Sequence, residues 1–68
     1  MMAAILRHIE SAGYATSVHR MGACSELHAV RKPDAGELHV ALAEGDGGEQ
    51  VYLAACELAR MVGVDLEG

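Results

Sequence analysis

The stretch HRMGACSELHAV, residues 19–30, holds two histidines, a cysteine and a glutamate. Imidazole nitrogen, thiolate sulfur and carboxylate oxygen are the atoms that bind zinc in proteins, and the same groups serve in acid–base and nucleophilic catalysis. His39 adds another imidazole further along the chain. Whether these side chains can act together depends on the strands and helices that carry them.

The length and charge of the chain limit the classes of protein to which it can belong. Its 68 residues suffice for one domain, and ten acidic residues against five basic ones give a formal charge of −5. A negative protein repels the phosphate backbone, so nucleic acid is not an expected partner. The first residues lack a basic leading region and an apolar run long enough to span a bilayer. We therefore predict a soluble cytoplasmic protein with no membrane partner and with Cys24 and Cys56 as free thiols, the alternative being a disulfide bridge between them.

Two amphipathic helices are predicted, one at each end of the chain. Apolar residues recur at helical spacing over residues 2–12 and again over residues 49–62. Gly13 and Gly63 follow these segments, and each precedes an apolar residue, as in a helix that ends on a left-handed glycine. Asp46 and Glu49 have the spacing of a capping box, so the acidic, glycine-rich stretch before the second helix is interpreted as a helix entry and not as a calcium or phosphate loop.

Three strands are predicted between the helices, over residues 15–20, 24–31 and 37–43, because polar and apolar residues alternate there. A glycine turn joins the first two strands and the KPDAG turn joins the second to the third. Short turns make neighbouring strands antiparallel, and we expect the strand order to follow the chain. The sequence thus predicts a single α+β domain over residues 1–68, in the order α-β-β-β-α, with both helices packed on one face of a three-stranded sheet.

The α-β-β-β-α order is shared by double-stranded-RNA-binding domains, and the predicted domain resembles that family in shape. The second helix opens on Gly47, Gly48 and Glu49, where that family carries a lysine cluster. Because function belongs to a site and not to a fold, RNA binding is not inferred from this resemblance. A nucleic-acid-binding role is the least favoured function, since it would need the few basic residues gathered in one patch.

The face of the sheet on which each side chain lies follows from the alternation. If the large residues Leu38, Val40 and Leu42 pack against the helices, Leu27 and Ala29 join them. Val18 and Thr16 then follow across the first hairpin. The possible metal ligands His19, Glu26, His28 and His39 then all lie on the opposite, outer face.

A zinc site on the outer face is the alternative function that this arrangement suggests. A two-residue turn at Gly22 and Ala23 sets His19 opposite Glu26, and the KPDAG turn sets His28 opposite His39 or Ala41. Directly opposed side chains have Cβ atoms about 5 Å apart, which is close enough for two imidazoles to share a metal ion. The predicted ligands are His28 and His39 with His19 or Glu26. No cofactor other than this alternative zinc is implied.

Association with another protein chain, including a second copy, is the function that the sequence favours. Catalysis is not expected, because Cys24 and His28 are about 13 Å apart along an extended strand and an open sheet offers no cleft. Small and apolar side chains on the outer face make a flat surface that a partner could cover. We predict a non-catalytic interaction or homodimerisation module that uses the outer sheet face or an exposed strand edge, and the candidate interface residues are Val30, Ala41 and Leu53.

Overall fold

The fold follows the predicted α-β-β-β-α order. The computed structural model describes residues 2–45 and 48–66, with side chains for 3–45 and 48–66. Each observed boundary falls within one residue of its predicted position, and the capping box proposed at Asp46 lies outside the described residues. The elements are α1 (Met2–Ser11), β1 (Tyr14–Met21), β2 (Cys24–Arg31), β3 (Leu38–Glu44) and α2 (Gly48–Met61).

Both helices end as their glycines predict. Gly63 has φ +83°, and its amide donates to the Arg60 carbonyl at 3.2 Å. The Val64 amide donates to the Ala59 carbonyl at 2.8 Å, which completes a Schellman cap. Gly13 has φ +102°, donates to the Glu10 carbonyl at 3.0 Å, and so leads the chain from α1 directly into β1. These caps confirm two local predictions.

The molecule has two layers. The sheet is antiparallel with strand order β1-β2-β3, so β1 and β3 are its edges. α1 packs over β1, α2 packs over β2 and β3, and the helices contact each other on the same face of the sheet. The shortest dimension is 16 Å, which is the thickness of one helix layer on one sheet. Within the part of the chain that the structure describes, neither helix is long and apolar enough to cross a membrane.

The core between the layers is built mostly from small side chains. Ile5 and Ile9 enter it from α1, Leu58 from α2 and Leu27 from β2. Small residues let a helix approach a sheet closely, because no long side chain separates the two backbones. The remaining buried residues are Tyr14, Ala29, Ala41, Ala43, Ala54, Ala55 and Ala59.

The predicted face of β3 is wrong. Ala41 pairs with Leu27 and Ala43 pairs with Ser25, so the alanines of β3 turn toward α2, where both are buried. Leu38 and Leu42 lie on the outer face with 58% and 67% of their surface exposed. The candidate interface residue Ala41 is therefore a core residue and not a surface residue.

The turn between β2 and β3 explains this difference. The Arg31 amide donates to the Glu37 carbonyl at 3.1 Å, so residues 31 and 37 are paired and share a face. Side chains alternate between the two faces along a strand, so the odd-numbered residues of β3 lie on the same helix face as Glu37. The predictions for β2 and β1 are confirmed: Leu27 and Ala29 are buried, and Val18 and Thr16 pair with them on the same face.

Candidate functional site

The outer face, defined as the sheet face that points away from the helices, brings together side chains from all three strands. Each strand contributes every second side chain to it, and paired residues lie side by side across the sheet. β1 contributes Ala15, Ser17, His19 and Met21, β2 contributes Cys24, Glu26, His28 and Val30, and β3 contributes Leu38, Val40, Leu42 and Glu44.

A polar cluster occupies the middle of β1 and β2 on this face. Ser17 pairs with His28, and His19 pairs with Glu26, as the two-residue turn at Gly22 and Ala23 predicts. His28 Nε2 donates to Glu26 Oε1 at 2.9 Å, and Ser17 Oγ lies 3.2 Å from His19 Nε2. The His19 and His28 rings lie with their centroids 4.1 Å apart and their planes 32° apart. Three of the four possible metal ligands, His19, Glu26 and His28, are thus brought together.

The chemistry open to this cluster is limited. A serine nucleophile needs a histidine whose other nitrogen is held by an acid. Ser17 contacts His19, but the Glu26 carboxylate hydrogen-bonds to His28, so the base is not oriented by that acid. Ser17 and His19 are also exposed on a flat surface. The arrangement presents hydrogen-bonding groups and ring faces on the surface of the sheet.

His39 is separated from this cluster, so the proposed zinc ligand set is wrong. His39 pairs with Ala29 and lies on the helix face, where its ring meets the Tyr14 ring edge to face at 5.8 Å. His28 pairs with Val40 on the other face. The strand order is as expected, but the pairing places the two imidazoles on opposite sides of the sheet. Among the described residues, no group of three or more His, Cys, Asp or Glu side chains is placed to hold a metal ion.

An ion pair sits beside His39 at the same end of the sheet. Arg31 Nη1 donates to Glu37 Oε2 at 2.6 Å, and His39 Nε2 lies 4.0 Å from Glu37 Oε1. The hydrogen bond to Glu37, helped by the negative charge of that carboxylate, raises the pKa of the Arg31 guanidinium. Arg31 is therefore engaged within its own chain, which leaves it less available to contact phosphate.

An apolar stripe runs along β3 on the outer face, and the sequence prediction missed it. We define the β3 stripe as Leu38, Val40 and Leu42, which follow one another at a spacing of two residues. Val30 of β2 pairs with Leu38 and is half-buried beside it. The number of residues between the Arg31 and Glu37 partners was the signal that could have found the stripe, because that number decides which residues of β3 face outward.

The remaining candidate, Leu53, lies in the other layer. It is 52% exposed on α2, opposite the buried side of that helix. Because α2 covers the inner face of the sheet, Leu53 and Val30 are on opposite sides of the molecule. One flat interface cannot include both residues.

No protein-family model, curated protein or solved structure matches this chain. The function is therefore argued from the outer face itself.

Proposed function

We propose that this domain is a non-catalytic association module that forms a homodimer through the β3 stripe on the outer face. The observation that carries the proposal is the exposure of Leu38 and Leu42, while the neighbouring alanines Ala41 and Ala43 are buried. Water contact with two large apolar side chains is unfavourable, and contact with the apolar side chains of a second copy reduces it. Val40 and Val30 extend the same apolar surface.

The charge pattern of β3 supports this proposal. The chain carries a formal charge of −5, yet residues 38–43 contain no Asp, Glu, Lys or Arg. Two acidic molecules repel each other over most of their surfaces, and an uncharged strand is where they can approach at the least electrostatic cost. His39, the only titratable residue in this segment, faces the helices and not the outer face.

The size of the surface sets the expected strength of the dimer. Three strands about 4.8 Å apart and roughly seven residues long cover on the order of 350 Å². Standard stable interfaces bury about 800 Å² on each partner. The dimer is therefore expected to be reversible and dependent on protein concentration. A reducing, cytoplasmic location is part of the proposal, and the free thiols of Cys24 and Cys56 are compatible with it.

Sedimentation equilibrium over a wide range of protein concentrations tests the proposal. The wild type is expected to pass from monomer to dimer, and a Leu38→Ser, Leu42→Ser variant is expected to remain monomeric at concentrations where the wild type is dimeric. A matched control replaces two exposed apolar residues of α2, Leu53→Ser and Met61→Ser, and should dimerise like the wild type. A wild type that is monomeric at every concentration would refute the proposal, and so would equal loss of dimer in the control.

A further inference from the structure

We infer that the dimer forms by edge addition, in which β3 pairs antiparallel with β3 of a second copy and the two sheets become one sheet of six strands. The inference rests on the association proposed above and adds its geometry, its partner segment and its register. Strand addition is a common way for proteins to bind extended segments, because backbone hydrogen bonds supply affinity without a deep pocket.

The backbone of β3 has the free groups that edge addition requires. The Arg31 amide bonds to the Glu37 carbonyl at 3.1 Å, and the Gly45 amide bonds to the Ala23 carbonyl at 3.0 Å. The odd-numbered residues of β3 therefore direct their N–H and C=O groups toward β2. The N–H and C=O groups of Leu38, Val40 and Leu42 point to the open edge, and no strand within residues 2–45 and 48–66 pairs with that edge.

The β3 edge carries few of the features by which proteins protect their edges. Such features are charged side chains, proline, bulges and very short strands. β3 is seven residues long and contains no proline, and its one charged side chain is Glu44 at the C-terminal end of the strand. The other edge differs, because β1 carries Arg20, and its Thr16 hydroxyl donates to Glu10 of α1 at 2.9 Å. We therefore place the contact at β3 and not at β1.

The sequence of β3 is complementary to itself in one antiparallel register. A two-fold axis at Val40 sets Val40 against Val40 of the second copy and Leu38 against its Leu42. These residues direct their backbone groups outward, so each such pair exchanges two hydrogen bonds and the strand junction contains about six. On the outer face the two stripes merge into one patch of six apolar side chains, which shield one another from water.

The charges at the ends of β3 favour the same arrangement. In the antiparallel register Glu44 lies beside Gly36 of the second copy, in a turn that carries Lys32 and also Asp34, whose carboxylate accepts from the Gly36 amide at 3.1 Å. A parallel arrangement would instead set Glu44 beside Glu44 and Glu37 beside Glu37 of the second copy. Like charges directly opposite each other destabilise strand pairing. The antiparallel dimer avoids this repulsion, and we therefore exclude a parallel one.

Proline substitution at the edge tests this geometry in the full chain. Val40→Pro removes an outward N–H and adds ring atoms at the contact, while the hydrogen bonds to β2 stay in place, because proline is tolerated on an edge strand whose N–H faces solvent. We expect the dimer dissociation constant to rise roughly 10- to 100-fold. The matched control is Val18→Pro. The Lys32 amide bonds to the Gly13 carbonyl, so the Val18 N–H points to the open edge of β1. Val18→Pro should dimerise like the wild type.

Disulfide trapping tests the register and remains informative if Val40→Pro does not fold. In a Cys24→Ala, Cys56→Ala background, Val40→Cys places two thiols at the two-fold axis, where paired Cα atoms are about 5.5 Å apart and a disulfide fits. Leu42→Cys is the control, because its partner position is Leu38 and its two thiols are more than about 10 Å apart. We expect rapid cross-linking of the first variant and not of the second.

The outcomes separate this inference from the proposed function. Edge addition is overturned if a folded Val40→Pro variant dimerises as strongly as the wild type. It is also overturned if Leu42→Cys cross-links as well as Val40→Cys. In both cases association through the outer face still stands. Equal loss of dimer in a folded Val18→Pro control overturns edge addition as well. A wild type that is monomeric at every concentration overturns the proposed association itself.

Discussion

His28 and His39 lie on opposite faces of the sheet, although they belong to neighbouring strands. His28 pairs with Val40 on the outer face, and His39 pairs with Ala29 on the helix face, where it meets Tyr14. A sheet is one backbone thick, so side chains on its two faces cannot converge on one ion. The separation of these two rings leaves the outer face with a polar cluster beside an apolar stripe.

Zinc is expected to leave the thermal stability of the protein unchanged. A ligand present at 100 times its dissociation constant adds about 2.7 kcal/mol to the folded state. In a domain of this size that would raise the unfolding temperature by about 10–20 °C. Calorimetry with added zinc and with chelator should give the same transition. A zinc-dependent increase that disappears in a His28→Ala, His39→Ala variant would contradict the observed pairing of β3.

Two leucine substitutions test the face of β3. Leu27→Ala removes a side chain that is 1% exposed beneath the helices, and should lower the free energy of unfolding by about 2–5 kcal/mol. Leu42→Ala removes a mostly exposed side chain, and should cost less than about 1 kcal/mol. Urea unfolding at low protein concentration, where the chain is monomeric, measures both values. A larger loss for Leu42→Ala than for Leu27→Ala would mean that the leucines of β3 face the helices.

Ala35→Gly is expected to stabilise the protein. Ala35 has φ +54° in the turn between β2 and β3, where its amide donates to the Arg31 carbonyl at 2.6 Å. A left-handed conformation costs a residue with a Cβ roughly 1–2 kcal/mol, and glycine avoids this cost. Glycine also makes the unfolded chain more flexible, which offsets part of the gain in stability. The expected net gain in the free energy of unfolding is about 0.5–1 kcal/mol.

The matched control for that prediction is Gly63→Ala, which makes the opposite change at φ +83°. A Cβ added at Gly63 meets no atom within 4 Å, so its effect is conformational and not steric. We expect a loss of about 1 kcal/mol. Urea titrations of both variants should move their midpoints in opposite directions. A loss of stability in Ala35→Gly would show that the turn does not hold Ala35 in the left-handed region.

Nuclear magnetic resonance can report the contact between the two outer-face imidazoles. Each ring lies within the ring-current field of the other, because their centroids are 4.1 Å apart. His19→Ala should therefore shift the ring-proton resonances of His28 and leave those of His39 in place, since His39 is on the opposite face. A shift at His39 with none at His28 would contradict the pairing of β1 with β2.

Local patterns were sufficient to predict most of the fold. Helical spacing of apolar residues and the glycines at positions 13 and 63 placed both helices, because caps and amphipathic stripes depend on residues within a few positions of one another. The hairpin of β1 and β2 was also predictable, since a two-residue turn determines its register. That hairpin brings His19, Glu26 and His28 together on one face, which accounts for half of the candidate site.

The other half of the site depends on the turn before β3. Leu38, Val40 and Leu42 alternate with His39, Ala41 and Ala43, so either set could face the helices. Hydrophobicity favours the leucines, and that preference produced the wrong face, the wrong zinc ligand and the wrong interface residue at Ala41. The pairing of Arg31 with Glu37 instead places His39, Ala41 and Ala43 on the helix face.

The sequence by itself determined the number, order and bounds of the elements, the ends of the helices and the register of the first hairpin, because each of these rests on short-range spacing and turn chemistry. Only the tertiary structure decided which face of β3 is buried. The pairing of Arg31 with Glu37 places the odd-numbered residues of β3 beneath α2, and the small residues Ala54, Ala55 and Ala59 share one core with Ala41 and Ala43 there. The larger leucines therefore lie on the outer face, where they form the β3 stripe from which we infer the function.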